Sequence, residues 1–527
     1  MEKQSRDITY LDIKNYWFTL FPELSSMDEL DKILEEVSHI KKDNIESFIE
    51  DYENKIEIGV DGLFKKESSI VLEDISYDIK KEVSFYNFFK PILNFFIADC
   101  YEKIKCLDII ENPKTFISCF IKNECIKLLE FSQRILVLEI NIARLNGSLK
   151  GSTKEERFNY YTDTILNDSD YLKSVYKEYS YMYKILVNRC KWDFEFILEV
   201  LTHTKEHMSE IKSYILNSNE DIKVKTIVSS LGDSHKRGRT VSIINFTNRD
   251  KVIFKPRSLE LDNGFNKFID YLNEKHNDVN SNLYKVKVIS GENYGFCEFI
   301  ERKDCNNEEE VKQFYYRTGK LLGALFALNA KDIHHENIIA MGNQPVVIDL
   351  EALFHSDVTL MDKRFFKSIE VAQKIIESSV YSIGFLPQKI SNPYNNDSST
   401  YVDVSAFGGE ENQAAPFKAF KLVNSNTDEI KIEKVEGFIE SQNNNPKVNG
   451  EIRKSEYYID EIKQGFADIY SILYENKNEV VELVNYIFKG MKNRFILRPT
   501  YIYGQLMNTS YHPDFMRDEI HRYIVSG

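Results

Sequence analysis

Apolar residues recur every three or four positions along the first 220 residues, where glycines are few. This spacing places them along one side of a helix. The clearest stripe stops just before Gly147, a typical residue after a helix end, and consists of Ile121, Cys125, Leu128, Phe131, Ile135, Leu138, Ile142 and Leu145. Such a stripe packs in a core more often than it lines a peptide-binding groove. We therefore predict a mostly helical scaffold for residues 1–220.

The pattern changes near Asp221 to short β-branched runs separated by turn residues, which indicates a sheet and a domain boundary. Three strands are predicted at 224–228, 240–246 and 252–255, with a loop over 232–239. An amphipathic helix should follow, with Phe265, Phe268, Ile269 and Leu272 on its apolar side. Two further strands are expected at 284–289 and 294–300. This order of elements matches the small lobe of a kinase.

Residues 308–328 have helical periodicity, with Val311, Tyr315, Thr318, Leu322 and Leu325 on one side. Apolar runs at 338–340 and 346–348 then flank a turn at 342–344, which predicts a hairpin that ends beside Asp349. Residues 391–449 are rich in Asn, Ser, Asp and Gln, and we predict long mobile loops there with little regular structure. Helical periodicity returns beyond position 452.

Composition and charge narrow the class of protein. With 527 residues, 42% hydrophobic and 29% charged, the chain should fold into several globular units. There is no apolar 20-residue segment and no signal peptide, so no transmembrane segment is expected and the expected compartment is the cytosol. The net charge of -15 disfavours a nucleic-acid partner. A local basic patch does occur at residues 235–239, where the alternatives are a solvated hairpin and a loop that binds a phosphate or an acidic peptide.

The seven cysteines are scattered, odd in number and never spaced as Cys-x-x-Cys. This argues against disulfides and zinc clusters, and most of these residues are expected to be small buried apolar side chains.

Three parts of the sequence have the chemistry of phosphoryl transfer from ATP. Lys255 ends a predicted strand, where its ammonium can reach phosphates. Asp332 can orient and deprotonate a hydroxyl, and Asn337 and Asp349 offer the hard oxygen ligands that magnesium prefers. The carboxylate of Glu351 adds another possible ligand.

Each of these residues also has a structural interpretation. A lysine at a strand end is commonly a solvated edge residue, and the 232–239 loop is neither a Walker A motif nor a kinase glycine-rich loop. The spacing from Asp332 to Asp349 can also describe a polar turn followed by a buried strand. His334 can be a proton carrier or a structural hydrogen-bonding residue, and the sequence leaves both open.

From about residue 224 to its end, the chain resembles the dehydratase region of the class II lanthipeptide synthetases, the LanM family. The resemblance is carried by these motifs: Gly232-Asp233-Ser234-His235, Phe254-Lys255-Pro256-Arg257-Ser258, Asp332-Ile333-His334-His335-Glu336-Asn337, Val347-Ile348-Asp349-Leu350-Glu351, Asp403-Val404-Ser405-Ala406, Asn426-Thr427-Asp428-Glu429 and Arg494-Phe495-Ile496-Leu497-Arg498-Pro499-Thr500.

The resemblance implies an α+β, lipid-kinase-like two-lobed fold after a large helical N-terminal region. The implied division is an N-terminal region at 1–220, a small lobe at 221–300 and a large lobe with the elimination motif at 301–527. The implied reaction phosphorylates serine or threonine of a ribosomal precursor peptide with ATP and Mg²⁺, then eliminates phosphate to give dehydroalanine or dehydrobutyrine.

The resemblance also implies residue roles. Lys255 would bind nucleotide, and Asn337, Asp349 and Glu351 would bind metal. The catalytic positions would be Asp332, His334, Asp233, His235, Arg494 and Thr500, the last two serving elimination. A guanidinium suits that step because it can bind the departing phosphate bidentately.

LanM proteins normally continue into a cyclase domain with bound zinc, whereas this chain ends at Gly527 without a zinc constellation. We therefore expect no zinc and no thioether ring closure from this polypeptide, and a separate or missing cyclase as its partner. A fragment, a truncated product and half of a split enzyme are the alternatives. For function, the alternatives to a dehydratase are a kinase without elimination and a noncatalytic pseudokinase scaffold that binds the leader peptide.

Overall fold

The computed structural model describes residues 58–66, 70–235, 237–355, 378–388, 390–391, 401–408, 413–439, 443–494 and 509–517, together with a few isolated positions. Helices and strands are both abundant there, so the predicted α+β class is confirmed. The helices are α1 Val60–Leu63, α2 Ile70–Glu82, α3 Tyr86–Lys105, α4 Pro113–Leu145, α5 Lys154–Asp163, α6 Ser169–Glu178, α7 Ser180–Glu210, α8 Glu260–His276, α9 Glu308–Ala327, α10 Ile459–Glu475 and α11 Lys477–Phe488.

The strands lie almost entirely after position 223. They are β1 Val224–His235, β2 Arg239–Phe246, β3 Lys251–Lys255, β4 Val288–Ser290, β5 Gly295–Glu298, β6 Ile338–Met341, β7 Gln344–Val347, β8 Ile390–Ser391, β9 Tyr401–Val402, β10 Gln413–Val423, β11 Lys431–Ile439, β12 Lys447–Val448 and β13 Glu451–Ile452.

The helical prediction for the N-terminal region is confirmed from residue 58 onward, while nearly all of residues 1–57 lie outside the described ranges. Helix α4 begins where the Asn112 side chain accepts a hydrogen bond from the Thr115 amide, and it ends before Gly147, whose φ is 68°. Its stripe is buried or half-buried from Ile121 to Ile135, but the last member, Leu145, is 76% exposed. The helix therefore outlasts the core against which it packs.

Five antiparallel strands form the central sheet, in the order β1-β2-β3-β5-β4. The predicted loop at 232–239 is wrong, because β1 continues to His235 and pairs it with Arg239. Arg237 and Gly238 both have positive φ, so a tight turn suffices and the strands extend almost to it. In the opposite sense, β4 and β5 are shorter than the runs predicted at 284–289 and 294–300.

Two large cores organise the described part of the chain. The first joins α3, α4 and α7 to the sheet, since Phe246 and Phe254 are buried in the same cluster as the helical side chains. The second surrounds α9 and contains the apolar sides of α8, α10 and α11. The amphipathic helix predicted around Phe265 to Leu272 and the helix predicted at 308–328 are both confirmed as α8 and α9, and all their named positions are buried.

Helices α9 and α10 approach each other closely at glycines. A Cβ atom on Gly465 would lie 1.9 Å from the Tyr316 carbonyl oxygen, and one on Gly319 would lie 2.0 Å from the Ile462 oxygen. Since neither distance is sterically possible, this crossing requires glycine on both helices.

The region 391–449 contains a long hairpin of β10 and β11, so the prediction of little regular structure is wrong there. Leu422 and Ile432 face each other across it and pack against the helical core. At its turn the buried Asp428 accepts hydrogen bonds from Arg157 of α5, at 2.6 and 3.3 Å. The Asn426 to Glu429 motif is therefore an anchor between this hairpin and the N-terminal helices.

None of the helices in the described ranges combines the length and the apolar character needed to cross a bilayer.

Candidate active site

Strand β3, helix α8 and the β6–β7 hairpin meet around a cavity of about 610 Å³. Seven of the ten predicted site residues line it: Lys255, Asp332, His334, Asn337, Asp349, Glu351 and Arg494. They come from four separate stretches of sequence, so the fold brings them together.

The other three predicted residues are placed less completely. Asp233 and His235 lie on β1, with His235 beside the turn, and their side chains lie outside the described part of the structure. Thr500 lies outside the described residues altogether.

The loop from Asp332 to Asn337 is held from several sides. Asp332 has a φ of 61°, a conformation that is unusual for residues other than glycine and is commoner for aspartate and asparagine. The Asn337 side-chain amide donates to the Asp332 carbonyl at 2.8 Å, and the Asn337 carbonyl accepts from the Ile348 amide at 2.9 Å. These bonds connect the loop to the end of the hairpin that presents Asp349.

The segment 403–405 supports this loop from the other side. His335 is buried, and both its amide and its Nδ1 contact the Val404 carbonyl, at 3.2 and 3.0 Å. Asp403 in turn accepts from the hydroxyl of Ser405 at 2.6 Å. The Asp403 to Ala406 motif therefore positions the loop from Asp332 to Asn337. The His334 ring accepts a 3.3 Å hydrogen bond from the Glu336 amide, and the His334 carbonyl accepts one from the Asn337 amide at 2.9 Å.

Lys255 is buried at the end of β3, unlike the solvated edge lysine that was the alternative. Its ammonium donates to the Ile348 carbonyl and lies 4.0 Å from the Asp262 carboxylate of α8. A buried ammonium facing a cavity is well placed to bind a phosphate.

Arg257 was quoted in a motif but given no role by sequence reasoning. Its guanidinium donates to Asp262 at 2.8 Å and to Asp349 at 2.7 Å, and its Nε lies 3.7 Å from Glu351. Burial by itself lowers the pKa of Arg257, but these three carboxylates raise it above its ordinary value. The only sequence signal for a role of Arg257 was its position two residues after Lys255. Only the fold shows that Asp262 is its ion-pair partner.

Asp349 is a strongly ionised carboxylate. Burial favours its protonated form, but Lys255 and Arg257 outweigh this and lower its pKa to about 2. The Glu351 amide donates a weak hydrogen bond of 3.4 Å to the Asp349 oxygen that also accepts from Arg257. Asp349 therefore remains negative at every pH at which the protein is expected to work.

Glu351 connects this cluster to Arg494. Its side chain accepts from the Arg494 guanidinium at 2.5 Å, and its carbonyl accepts from the Arg494 amide at 2.8 Å. Arg494, remote in sequence, is thereby fixed at the edge of the cavity.

Asp332 has the opposite electrostatic tendency to Asp349. Partial removal of its carboxyl from water raises the pKa of Asp332, and the negative charges of Asp349 and Glu351 raise it further. His334 and Arg494 oppose this shift. The side chain stays accessible from the cavity. A carboxylate with a raised pKa is a better proton acceptor than an ordinary aspartate.

The donor atoms around the cavity fit magnesium, which prefers carboxylate and amide oxygens. Asn337, Asp349 and Glu351 supply such atoms, and all three line the same space. Within the described ranges, no three His, Cys, Asp or Glu side chains are grouped closely enough to hold a metal ion by themselves. A magnesium ion here would therefore need water or phosphate oxygens as further ligands, as is usual for this ion.

Comparison with known proteins gives two matches. A family model described as a domain of unknown function, DUF4135, matches residues 179–526. The "Lacticin 481/lactococcin biosynthesis protein LcnDR2" of Lactococcus lactis subsp. lactis is 28% identical over 407 residues, which is 73% of this chain and 42% of that protein. The chain thus spans less than half the length of this relative.

Proposed function

The chain belongs to the DUF4135-containing LanM family of class II lanthipeptide synthetases, and on this premise we propose that it is an ATP-dependent dehydratase of serine and threonine in a ribosomal precursor peptide. Its products would be dehydroalanine and dehydrobutyrine, and its cofactors ATP and Mg²⁺. The relative's printed role in lacticin 481 biosynthesis supports a precursor peptide as the substrate.

The observation that carries this proposal is that one cavity contains both a set of residues suited to phosphoryl transfer and an arginine suited to elimination. Lys255, Asp332, Asn337 and Asp349 form a set suited to phosphoryl transfer, and Arg494 reaches the same space through its ion pair with Glu351. Elimination requires a cation for the departing phosphate, and the Arg494 guanidinium can supply it.

In the first step, bound Mg²⁺ and ATP would supply the phosphoryl group and neutralise its charge. Asp332 would accept the proton of the peptide hydroxyl while the oxygen of that hydroxyl attacks the γ-phosphorus of ATP. Lys255 would contact the phosphates, and Asn337, Asp349 and Glu351 would hold the metal. A new O–P bond to the peptide forms and the bond to ADP breaks.

In the second step a base removes the α-proton of the phosphorylated residue, a carbon–carbon double bond forms, and the Cβ–O bond breaks to release phosphate. The Arg494 guanidinium stabilises the departing dianion by charge and bidentate hydrogen bonds. Asp233, His235 and Thr500 are proposed to take part, as the family resemblance implies.

We also propose a lipid-kinase-like fold of two lobes, at 221–300 and 301–527, that follow a helical region at 1–220. The placement of buried Lys255 on a five-stranded antiparallel sheet, opposite a loop and metal-binding hairpin, supports this arrangement.

Mass spectrometry of a precursor peptide coexpressed with this chain tests the function. A loss of one water per modified residue is the expected result. Retained phosphate would show a kinase without elimination, and an unmodified peptide with no ADP released by folded protein would favour the noncatalytic scaffold. Either of these results would overturn the dehydratase.

A further inference from the structure

The guanidinium of Arg257 lies behind the cavity, among three carboxylates that line it. Two of these, Asp349 and Glu351, are proposed metal ligands. The third, Asp262, belongs to α8. A fixed positive charge thus lies within hydrogen-bond distance of a group that should bind a divalent cation.

Arg257 is held in this place independently of the metal ligands. One of its nitrogens donates both to Asp262, at 2.8 Å, and to the Ser258 carbonyl, at 3.1 Å. Only the other terminal nitrogen contacts Asp349. The charge would therefore remain nearby after Asp349 has engaged a metal ion.

Like charges repel each other, and the burial of Arg257 limits the screening of its charge by water, so Arg257 should weaken the binding of a divalent cation that arrives alone. A nucleoside triphosphate offsets this repulsion, because its negative charge attracts both the metal and the guanidinium. Metal and nucleotide should then bind more tightly together than either does separately.

We propose that Arg257 is a positioning residue that keeps the metal site weak until nucleotide enters, so that the cation is loaded mainly as its nucleotide complex. This inference rests on the proposed function, since it needs Asp349 to be a metal ligand. It extends that function by assigning the cavity an order of loading and by assigning Arg257 a role.

Binding of Mn²⁺ to the purified full-length chain, followed by electron paramagnetic resonance without nucleotide, tests the proposal directly. Arg257→Gln and Arg257→Met both remove the charge, and the methionine keeps most of the apolar stem. Each should bind Mn²⁺ about tenfold more tightly than the unsubstituted protein. Arg257→Lys retains the charge and should bind Mn²⁺ nearly as weakly as the unsubstituted protein.

A second measurement uses a nonhydrolysable ATP analogue in the presence of Mn²⁺. The neutral variants should bind the analogue more weakly, so their gain in metal affinity should shrink or reverse. Unchanged or weaker Mn²⁺ binding without nucleotide, in neutral variants that retain the circular dichroism of the parent, would overturn the proposal.

Two further variants serve as controls. Arg453→Gln removes an arginine that pairs with Glu308 and Glu451 away from the cavity, and it should leave Mn²⁺ affinity unchanged. Asp349→Asn should greatly weaken Mn²⁺ binding. If it does not, the metal assignment in the proposed function fails together with this inference; if it does and the Arg257 variants behave like the parent, only the inference fails.

Discussion

Arg494 shows how one side chain can separate the two proposed chemical steps. It contacts Glu351 through both backbone and side chain. It does not belong to the set of residues suited to phosphoryl transfer, which includes Lys255 and Asp332. A residue in that position can be lost without removing the groups that transfer phosphate.

We expect Arg494→Met to accumulate phosphorylated precursor peptide, because the departing phosphate loses its cation while the transfer residues remain. Loss of one such contact typically slows a reaction by about a hundredfold or more. Mass spectrometry of the peptide, with ADP release measured in parallel, checks this, and Arg453→Met is the matched control. A variant that yields only dehydrated peptide would remove Arg494 from the elimination step.

Asp332 allows a prediction about stability and pH. Because its folded-state pKa is raised, its ionisation destabilises the folded protein as pH rises through that pKa. Asp332→Asn should therefore increase the free energy of unfolding at pH 7. The same substitution should abolish ADP formation, because it removes the proposed proton acceptor.

The pH-dependent part of this gain should disappear below the ordinary aspartate pKa of about 3.9, where the carboxyl is protonated in both states. Urea unfolding of both proteins from pH 3.5 to pH 7 measures it. A gain that does not grow with pH would mean that the pKa of Asp332 is not raised by folding.

At the scale of elements, the crossing of α9 and α10 supports the loop from Asp332 to Asn337, since α9 leads directly to that loop. Its close approach depends on glycines, and periodicity alone could not reveal this, because the contact joins residues more than 140 positions apart.

Gly465→Ala should destabilise the protein, because its Cβ would collide with the Tyr316 carbonyl and backbone cannot move aside cheaply. Overpacking of this kind costs about 1–3 kcal/mol. Thermal or urea unfolding gives the value. Gly62→Ala provides the control, since no atom lies within 4 Å of its added Cβ; equal stabilities of the two variants would refute the close crossing.

At the scale of the whole molecule, the N-terminal helices and the central sheet share one core. Phe196 of α7 is almost fully buried, and its ring centre lies 6.1 Å from that of Phe254 on β3. The helical region therefore stabilises the strand that ends at Lys255.

Phe196→Ala should cost about 3–5 kcal/mol of unfolding free energy and should loosen the sheet as well as α7. Amide hydrogen exchange followed by mass spectrometry would show faster exchange in peptides from both regions. Phe438→Ala, at a side chain that is 60% exposed, should have little effect. Faster exchange confined to α7 would show that the helices and sheet are separate cooperative units.

Much of the fold was predictable because the signal was local. The α8 and α9 helices and the β6–β7 hairpin follow from periodicity and turn residues within a few positions of each other. The β10–β11 hairpin was missed because its alternation lies within a segment rich in turn-forming residues. Its stability comes from packing on α4 and from the Arg157–Asp428 pair, neither of which is local.

The sequence by itself determined which chemical groups are available and in what order they occur, and the spacing from Asp332 to Asp349 already indicated phosphoryl transfer. Only the tertiary structure decided that Lys255 is buried, that Arg494 meets Glu351, and that Arg257 lies among three carboxylates. The physical reason is range. Hydrogen bonds along helices and hairpins depend on near neighbours, whereas burial, pKa and ion pairing depend on residues that lie 92 to 143 positions apart in the sequence and meet only in the fold.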